Sequence, residues 1–380
     1  MKVFMFSILS KILCLLPMRK IIIFESNPDC SDNTEMVFNE MIKRQINRHY
    51  KLVWLVKDIG KCKNRYSDIK NVRLISKNSA TYRYYYSFFS RAFITSNDFP
   101  YKRRKDQYYI YLAHGCALKD AKGKHSIPQD CPDCDVLTIS DYMAKYDAEN
   151  LSCSEANMRV LGYPRNDKLF SSNKIDLNNL FSPGEINKFI YWLPTFRQHK
   201  NKVSYSNISM PILYDDNICK GINECARQHN VFVIVKPHPC QDISYIKAMK
   251  LSNLCFIDDD FLKNFSIDNY ELLNSADALL TDYSSVYYDF LLADKPIGLC
   301  WDDFDEYSKR EGFRVDPNFI MSGGEKIYNE EDLKCFIIRI ANNDDILAKE
   351  RNKICSLVHK YKDGNSTVRT VDYIISELQR

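Results

Sequence analysis

Glycine is scarce in this 380-residue chain, at 11 residues, and neither G-x-G-x-x-G nor G-x-x-x-x-G-K-[ST] occurs in it. If nucleotide phosphates are bound, a glycine-rich cradle is not what binds them. Charge of one sign is not in excess: 53 Lys and Arg against 49 Asp and Glu leave +4. That is too little to mark a nucleic-acid-binding protein and gives only a mild bias toward anionic partners. A long apolar run is also missing. The nearest approach, residues 1–19, carries Phe4, Phe6, Ile8, Leu9, Ile12, Leu13, Leu15 and Leu16, but Lys11 interrupts it and no small-x-small cleavage site follows. It reads as neither a bilayer span nor a secretory signal. The one C-x-x-C, Cys131 to Cys134 with His114, Cys116 and His125 upstream, lacks a second ligand pair at zinc spacing. The fourteen cysteines therefore read as reduced thiols of a cytoplasmic protein. No internal repeat or low-complexity segment stands out.

What is present is ordinary globular material, 45% apolar and 27% charged, long enough for two domains with a core each. Short β-rich runs alternate with amphipathic stretches, the pattern of βαβ units and a parallel sheet. Strands are expected at 20–24 (KIIIF), 52–56, 92–95, 108–112 and 136–140, with a helix over 35–48. A polar stretch at 171–179, followed by Pro183 and Gly184, breaks the pattern, which restarts with strands at 190–193, 231–235, 278–280 and 297–301 and a helical tail over 330–380. The fold class is α/β, two doubly wound parallel sheets: a first domain over 20–170 and a second over 183–380. Residues 1–19 form a cation-flanked apolar helix that lies either in the interface of an anionic leaflet or on the protein's own body.

Open α/β sheets bind ligands beyond the carboxyl ends of their strands, so the residues there matter most. The strand at 108–112 runs into His114 and Gly115. An imidazole there suits a general base, and Gly115 permits close approach; a histidine satisfied by its own turn is the alternative. The run at 231–235 ends in Lys236, Pro237, His238 and Pro239, a rigid turn suited to clamping phosphate oxygens. The strand at 278–280 leads into Thr281, Asp282, Tyr283, Ser284 and Ser285. With Ser284 as N-cap, these hydroxyls and the following helix start would hold an anion without glycine. Asp289 further on is either a ribose contact or a solvated carboxylate, while Asp282 is costly at a strand mouth unless it orients a group or bonds a ligand. Arg197, closing WLPTFR, offers bidentate phosphate binding. The run KRRK at 102–105 before Tyr108 reads as a solvated or membrane-facing loop, not a nucleic-acid patch.

Six segments now stand in order: FESNPDCSDN (24–33), HGCALK (114–119), GYPRND (162–167), PTFR (194–197), KPHP (236–239) and TDYSSVYYD (281–289). Together they resemble the CDP-glycerol glycerophosphotransferase family of teichoic-acid primases and polymerases, whose relatives build capsules with CDP-glycerol or CDP-ribitol. The resemblance implies a GT-B arrangement, monotopic association with the cytoplasmic face of the membrane, and transfer of a polyol phosphate, glycerol phosphate first, to a lipid-linked or polymeric glycan acceptor. On this chain it implies His114 and His238 as essential histidines and Asp282 beside them as catalytic. Gly115, Arg165, Arg197, Lys236, Thr281, Ser284, Ser285 and Asp289 fall on the substrate. Cys116 and Ala117 stand where relatives more often have Thr-Pro.

The expected mechanism is attack of an acceptor hydroxyl on the β-phosphorus, His114 taking the proton and CMP leaving, with Arg197, Lys236, His238 and the helix at Ser284 stabilising the phosphoryl charge. No metal is obligatory. The acidic run Asp258, Asp259 and Asp260 keeps magnesium open as an alternative to a loop of solvated acids. A nucleotide-sugar glycosyltransferase of the same fold and an inactive assembly scaffold are the competing functions.

Overall fold

A computed structural model describes residues 13–97, 104–121, 133–181, 187–195, 210–238, 241 and 249–380. The chain forms two compact units. Unit 1 comprises residues 1–116, 121–167 and 359–380; unit 2 comprises 117–120 and 168–358.

Unit 1 holds β1 (Arg19–Glu25), β2 (Lys51–Val56), β3 (Val72–Ser76), β4 (Ser90–Thr95), β5 (Tyr108–Tyr111), β6 (Asp135–Thr138) and β7 (Met158–Val160). All are parallel, in the order β3-β2-β1-β4-β5-β6-β7. Strand order reverses between β1 and β4, which makes the carboxyl ends of those strands the binding crevice of the sheet. The centre of the sheet is apolar because helices cover both its faces, as in β1, where Ile22, Ile23 and Phe24 are fully buried. Each such side chain stabilises the fold by about 1.5–3 kcal/mol. The helix Asp32–Lys43 packs Val37, Phe38 and Met41 inward, and Phe38 meets Phe24 edge to face at 5.1 Å. It stops at Lys43, short of the expected 48, because Gln45 takes a left-handed φ of 60° before the 3-10 turn Ile46–Arg48.

Unit 2 repeats the scheme with β8 (Lys188–Trp192), β9 (Val231–Val235), β10 (Leu254–Phe256), β11 (Ala278–Thr281), β12 (Ile297–Cys300) and β13 (Glu325–Ile327). The order is β10-β9-β8-β11-β12-β13, again parallel, with its reversal between β8 and β11. Its core joins the sheet to the helices Asp216–Gln228 and Glu330–Ala341 through Ile218, Ile222, Leu333, Phe336 and Ile337.

The expected domain limits shift at three places. The polar stretch 171–179 is no free linker: Lys174 Nζ donates to the Asn274 carbonyl at 2.7 Å and the Ile175 N–H to Ser275 Oγ at 2.8 Å, strapping it onto unit 2. Residues 117–120 also belong to unit 2, where the Arg314 N–H donates to the Leu118 carbonyl at 2.8 Å and Lys119 bridges Phe313. The helical tail divides. Glu330–Ala341 and Ala348–Val358 stay with unit 2, whereas Ser366–Gln379 returns to unit 1 and packs on the helix Asp32–Lys43. Of the expected N-terminal helix, residues 1–12 lie outside the described residues. Among the described residues no helix is long and apolar enough to cross a membrane.

Candidate active site

In unit 1 the site grows from the loop between β1 and the helix Asp32–Lys43. Ser26 Oγ donates to the Pro28 carbonyl at 2.8 Å and accepts the Ser31 N–H at 3.0 Å. The Asp29 carboxylate accepts the N–H groups of Lys57 and Asp58 at 2.8 and 2.9 Å. The loop so fixed delivers Asp32 in a left-handed conformation, φ 61°, which an L-residue adopts only when its surroundings hold it there.

Two neighbouring side chains on this loop then gather the motifs. Asn33 Nδ2 donates to the carbonyls of Leu112 and Ala113 at 3.1 and 3.0 Å, and its Oδ1 accepts the Arg165 N–H at 3.0 Å. Asp32 accepts Arg165 Nη1 at 2.9 and 3.2 Å, and its Oδ2 lies 2.5 Å from His114 Nδ1. Arg165 Nη1 also donates to the His114 carbonyl at 2.9 Å. Burial pushes the Asp32 carboxyl up, but the Arg165 charge and the His114 hydrogen bond outweigh it and hold the group well below the usual carboxylate range. An ionised Asp32 only accepts, so Nδ1 of His114 donates to it and Nε2 is the ring nitrogen left over, on a ring that is 59% exposed. Gly115 follows, and the thiol of the next residue, Cys116, donates a hydrogen bond to Asp147 Oδ2 at 3.3 Å.

Asp32 carried no role in the sequence reading, although it lies within FESNPDCSDN. The signal available was its position, an acid just beyond the first strand of a doubly wound sheet.

In unit 2 the groups stand at the ends of β9, β8 and β11. Lys236 continues the β9 ladder through its N–H, 2.9 Å from the Trp192 carbonyl, and its Nζ pairs with Asp259 Oδ1 at 2.7 Å. Burial lowers the pKa of exposed His238, the charges of Lys236 and Lys119 lower it further, and Asp259 pulls the other way. On balance these influences favour the neutral form of the ring. At the reversal between β8 and β11, Thr281 Oγ1 donates to the Leu193 carbonyl at 2.8 Å. Fully buried Asp282 accepts the Thr195 N–H at 3.0 and 3.1 Å and Thr195 Oγ1 at 2.9 Å.

These motifs match, over residues 8–376, the sequence model of CDP-glycerol:poly(glycerophosphate) glycerophosphotransferases. The chain belongs to that family. Among curated relatives, the teichoic acid glycerol-phosphate primase of Bacillus subtilis (strain 168) is 28% identical over 245 residues, 63% of this chain and 57% of the primase. The teichoic acid poly(ribitol-phosphate) polymerase of Bacillus spizizenii is 24% identical over 377 residues, 92% of this chain and 55% of the polymerase. The chain thus spans little more than half the length of these two relatives. A structure of a His-to-Asn variant of the wall teichoic acid polymerase TagF superposes with a TM-score of 0.74 at 19% identity, covering 95% of this chain and 90% of the chain in that structure. The two-sheet α/β fold is thereby the GT-B-like fold of that polymerase.

Within the family frame several expected residues take unexpected partners. Asp282 braces the Thr195 turn. The helix Val286–Leu291 starts one residue later than expected: Ser285 is its N-cap without a side-chain bond, and Ser284 Oγ accepts the Val286 N–H at 3.4 Å. Asp289, expected either at a ribose or as a solvated carboxylate, is 1% exposed and accepts the Tyr270 hydroxyl at 2.6 Å, tying two helices of unit 2 together. The acidic run is parcelled out: Asp258 caps the helix Asp259–Asn264, Asp259 pairs with Lys236, and Asp260 with Lys263 at 2.9 Å. Among the described residues no group of three His, Cys, Asp or Glu is arranged to hold a metal. Arg197, Pro239 and Cys131 lie outside the described residues.

Proposed function

We infer that the chain transfers a polyol phosphate, glycerol phosphate first, from a CDP-polyol to a hydroxyl acceptor in teichoic-acid-like or capsular polymer synthesis. The observation that carries this reading is the His114 ring held through Nδ1 by an ionised carboxylate that Arg165 pins in place. In the reaction the acceptor oxygen bonds to the β-phosphorus, the bridging P–O bond breaks, CMP leaves, and the acceptor proton passes to His114 Nε2. Asp32 stabilises the imidazolium that forms, as the aspartate of a serine-hydrolase triad does. Lys236, His238 and the hydroxyls of Ser284 and Ser285 meet the donor phosphates, with Arg197 a further cation in the same role, while the buried Thr281 hydroxyl, spent on the Leu193 carbonyl, holds the turn in place. Asp282 acts in this scheme as a positioning residue for the Thr195 turn. The donor class draws further support from TagF, a structure of which follows a soak with CDPG.

The acceptor is read as a lipid-linked or polymeric glycan and the location as the cytoplasmic face of the membrane, held peripherally. Leu15, Leu16 and Tyr84 are exposed at 84%, 47% and 44%, and cationic Arg19 stacks over Tyr85 in the same unit. Apolar and aromatic side chains among cations suit an anionic leaflet. Magnesium against the pyrophosphate is compatible with the scheme without being required by it.

The test is CMP release by the purified chain with CDP-glycerol, CDP-ribitol and UDP-sugars in parallel, with a membrane extract as acceptor, with and without EDTA. Release from one CDP-polyol is expected. Silence with both, and UDP release from a sugar nucleotide, would move the protein to glycosyl transfer.

A further inference from the structure

Asp259, in the middle of its acidic run, reaches the KPHP turn through Lys236. Its neighbours are spent locally, Asp258 on the helix cap through the Phe261 N–H at 2.9 Å and Asp260 on Lys263. Asp259 instead reaches Lys236, whose side chain is 13% exposed while that of Asp259 is 39% exposed. Lys236 itself cannot move far, since its N–H is laddered to Trp192 and Pro237 follows it. The same carboxylate acts electrostatically on His238, against the cations Lys236 and Lys119. One carboxylate therefore bears on both side chains of KPHP that would meet a phosphate.

We propose that Asp259 is an internal competitor for Lys236, a carboxylate that a donor's pyrophosphate must displace and that speeds departure of the nucleotide product. The exchange is chemically reasonable in both directions. A partly exposed ion pair is weak, and a pyrophosphate oxygen offers Lys236 a similar charge-assisted hydrogen bond with more negative charge behind it. Asp259 thus lowers affinity for nucleoside diphosphates and for CMP alike, which keeps a site rich in cations from being held by its own product. The inference deepens the reading above, since it takes a nucleotide's phosphates as the ligand of this turn.

The test titrates the full chain calorimetrically with CDP, CMP and inorganic pyrophosphate, comparing the unaltered chain with Asp259→Asn, Asp260→Asn and the double variant Lys236→Gln, Asp259→Asn. Asp259→Asn is expected to bind all three ligands about threefold to fivefold more tightly. Asp260→Asn, which removes the same charge one residue away, should change affinity much less. The gain should vanish when Lys236 is also replaced. Weaker binding by Asp259→Asn would make the carboxylate an orienting group for Lys236 and overturn the proposal, as would equal tightening by Asp260→Asn, which is a field effect. If pyrophosphate binds more tightly to Asp259→Asn while CDP and CMP bind to no form of the chain, the competitor stands and the CDP-polyol reading falls.

Discussion

Asp32 and His114, 82 residues apart in sequence, meet at 2.5 Å with the carboxylate on Nδ1. This pairing turns Nδ1 to the carboxylate and leaves Nε2 for an acceptor proton in the proposed reaction. Replacing Asp32 by Asn keeps the shape but offers an amide in place of an acceptor-only group. The expected result is a fall in the rate of CMP release of about 10³- to 10⁴-fold, by analogy with the corresponding change in a serine-protease triad, with little change in donor KM. His114→Ala should abolish turnover in a folded protein. Single-turnover CMP release alongside circular dichroism checks both, and retained activity in His114→Ala would remove the base assignment.

Arg165 is the counter-ion of a buried carboxylate, with side-chain exposures of 7% and 8% for the pair. Breaking such a pair from one side leaves an uncompensated charge and costs about 3–5 kcal/mol. Arg165→Gln should therefore unfold at markedly lower urea concentration. Restoring neutrality with Arg165→Gln and Asp32→Asn together should recover part of the stability and none of the activity, which urea titration and the CMP assay separate.

The turn that carries Arg165 is braced from the C-terminal side. Asp167 Oδ1 and Oδ2 accept the N–H groups of Ser366 and Thr367 at 2.9 and 2.8 Å, at the start of the helix Ser366–Gln379. Loss of an N-terminal cap of this kind costs about 1 kcal/mol. Asp167→Ala is predicted to lower thermal stability by that amount and to slow CMP release without touching substrate. Loss of stability at unchanged rate would confine Asp167 to a structural role.

The imidazole of His238 titrates below the ordinary 6.5 because burial and two lysines disfavour its charged form. The unfolded chain takes up this proton at higher pH than the folded one. The contribution of neutral His238 to stability is therefore full above 6.5 and is lost as pH falls through the lowered value. NMR titration of the ring should give a midpoint below 6.5 that moves upward in Lys119→Gln. An unmoved midpoint would show that Lys119 does not act on it.

Nine of the thirteen strands are legible in the sequence, and the four that are not, β3, β7, β10 and β13, are the edges of the two sheets. The reason is solvation. Central strands such as β9, VFVIV, are buried along their whole length and read as apolar runs, whereas β3, VRLIS, is buried only at Val72. His114, His238 and TDYSS stand out in the sequence because they follow apolar strands, and strand ends are where such sheets bind ligands. The Asp32–Arg165 pair was not, because it joins residues 133 apart whose meeting depends on a left-handed backbone turn. The Tyr270 contact of Asp289 was hidden for the opposite reason: helical spacing gives its place along the chain but not what lies against it.

The return of residues 359–380 to unit 1 sets an order of events during translation. Nascent domains ordinarily complete themselves in sequence as they leave the ribosome. Here the sheet of unit 1 emerges first, yet the helix Ser366–Gln379, which packs on the helix begun by Asp32 and receives the Asp167 cap, is synthesised after all of unit 2. A chain arrested anywhere before residue 366 has made every residue of the His114 cluster without the helix that braces it. The His114 cluster is thus the first to be encoded and the last to be finished, so only chains translated through that helix have it fully braced.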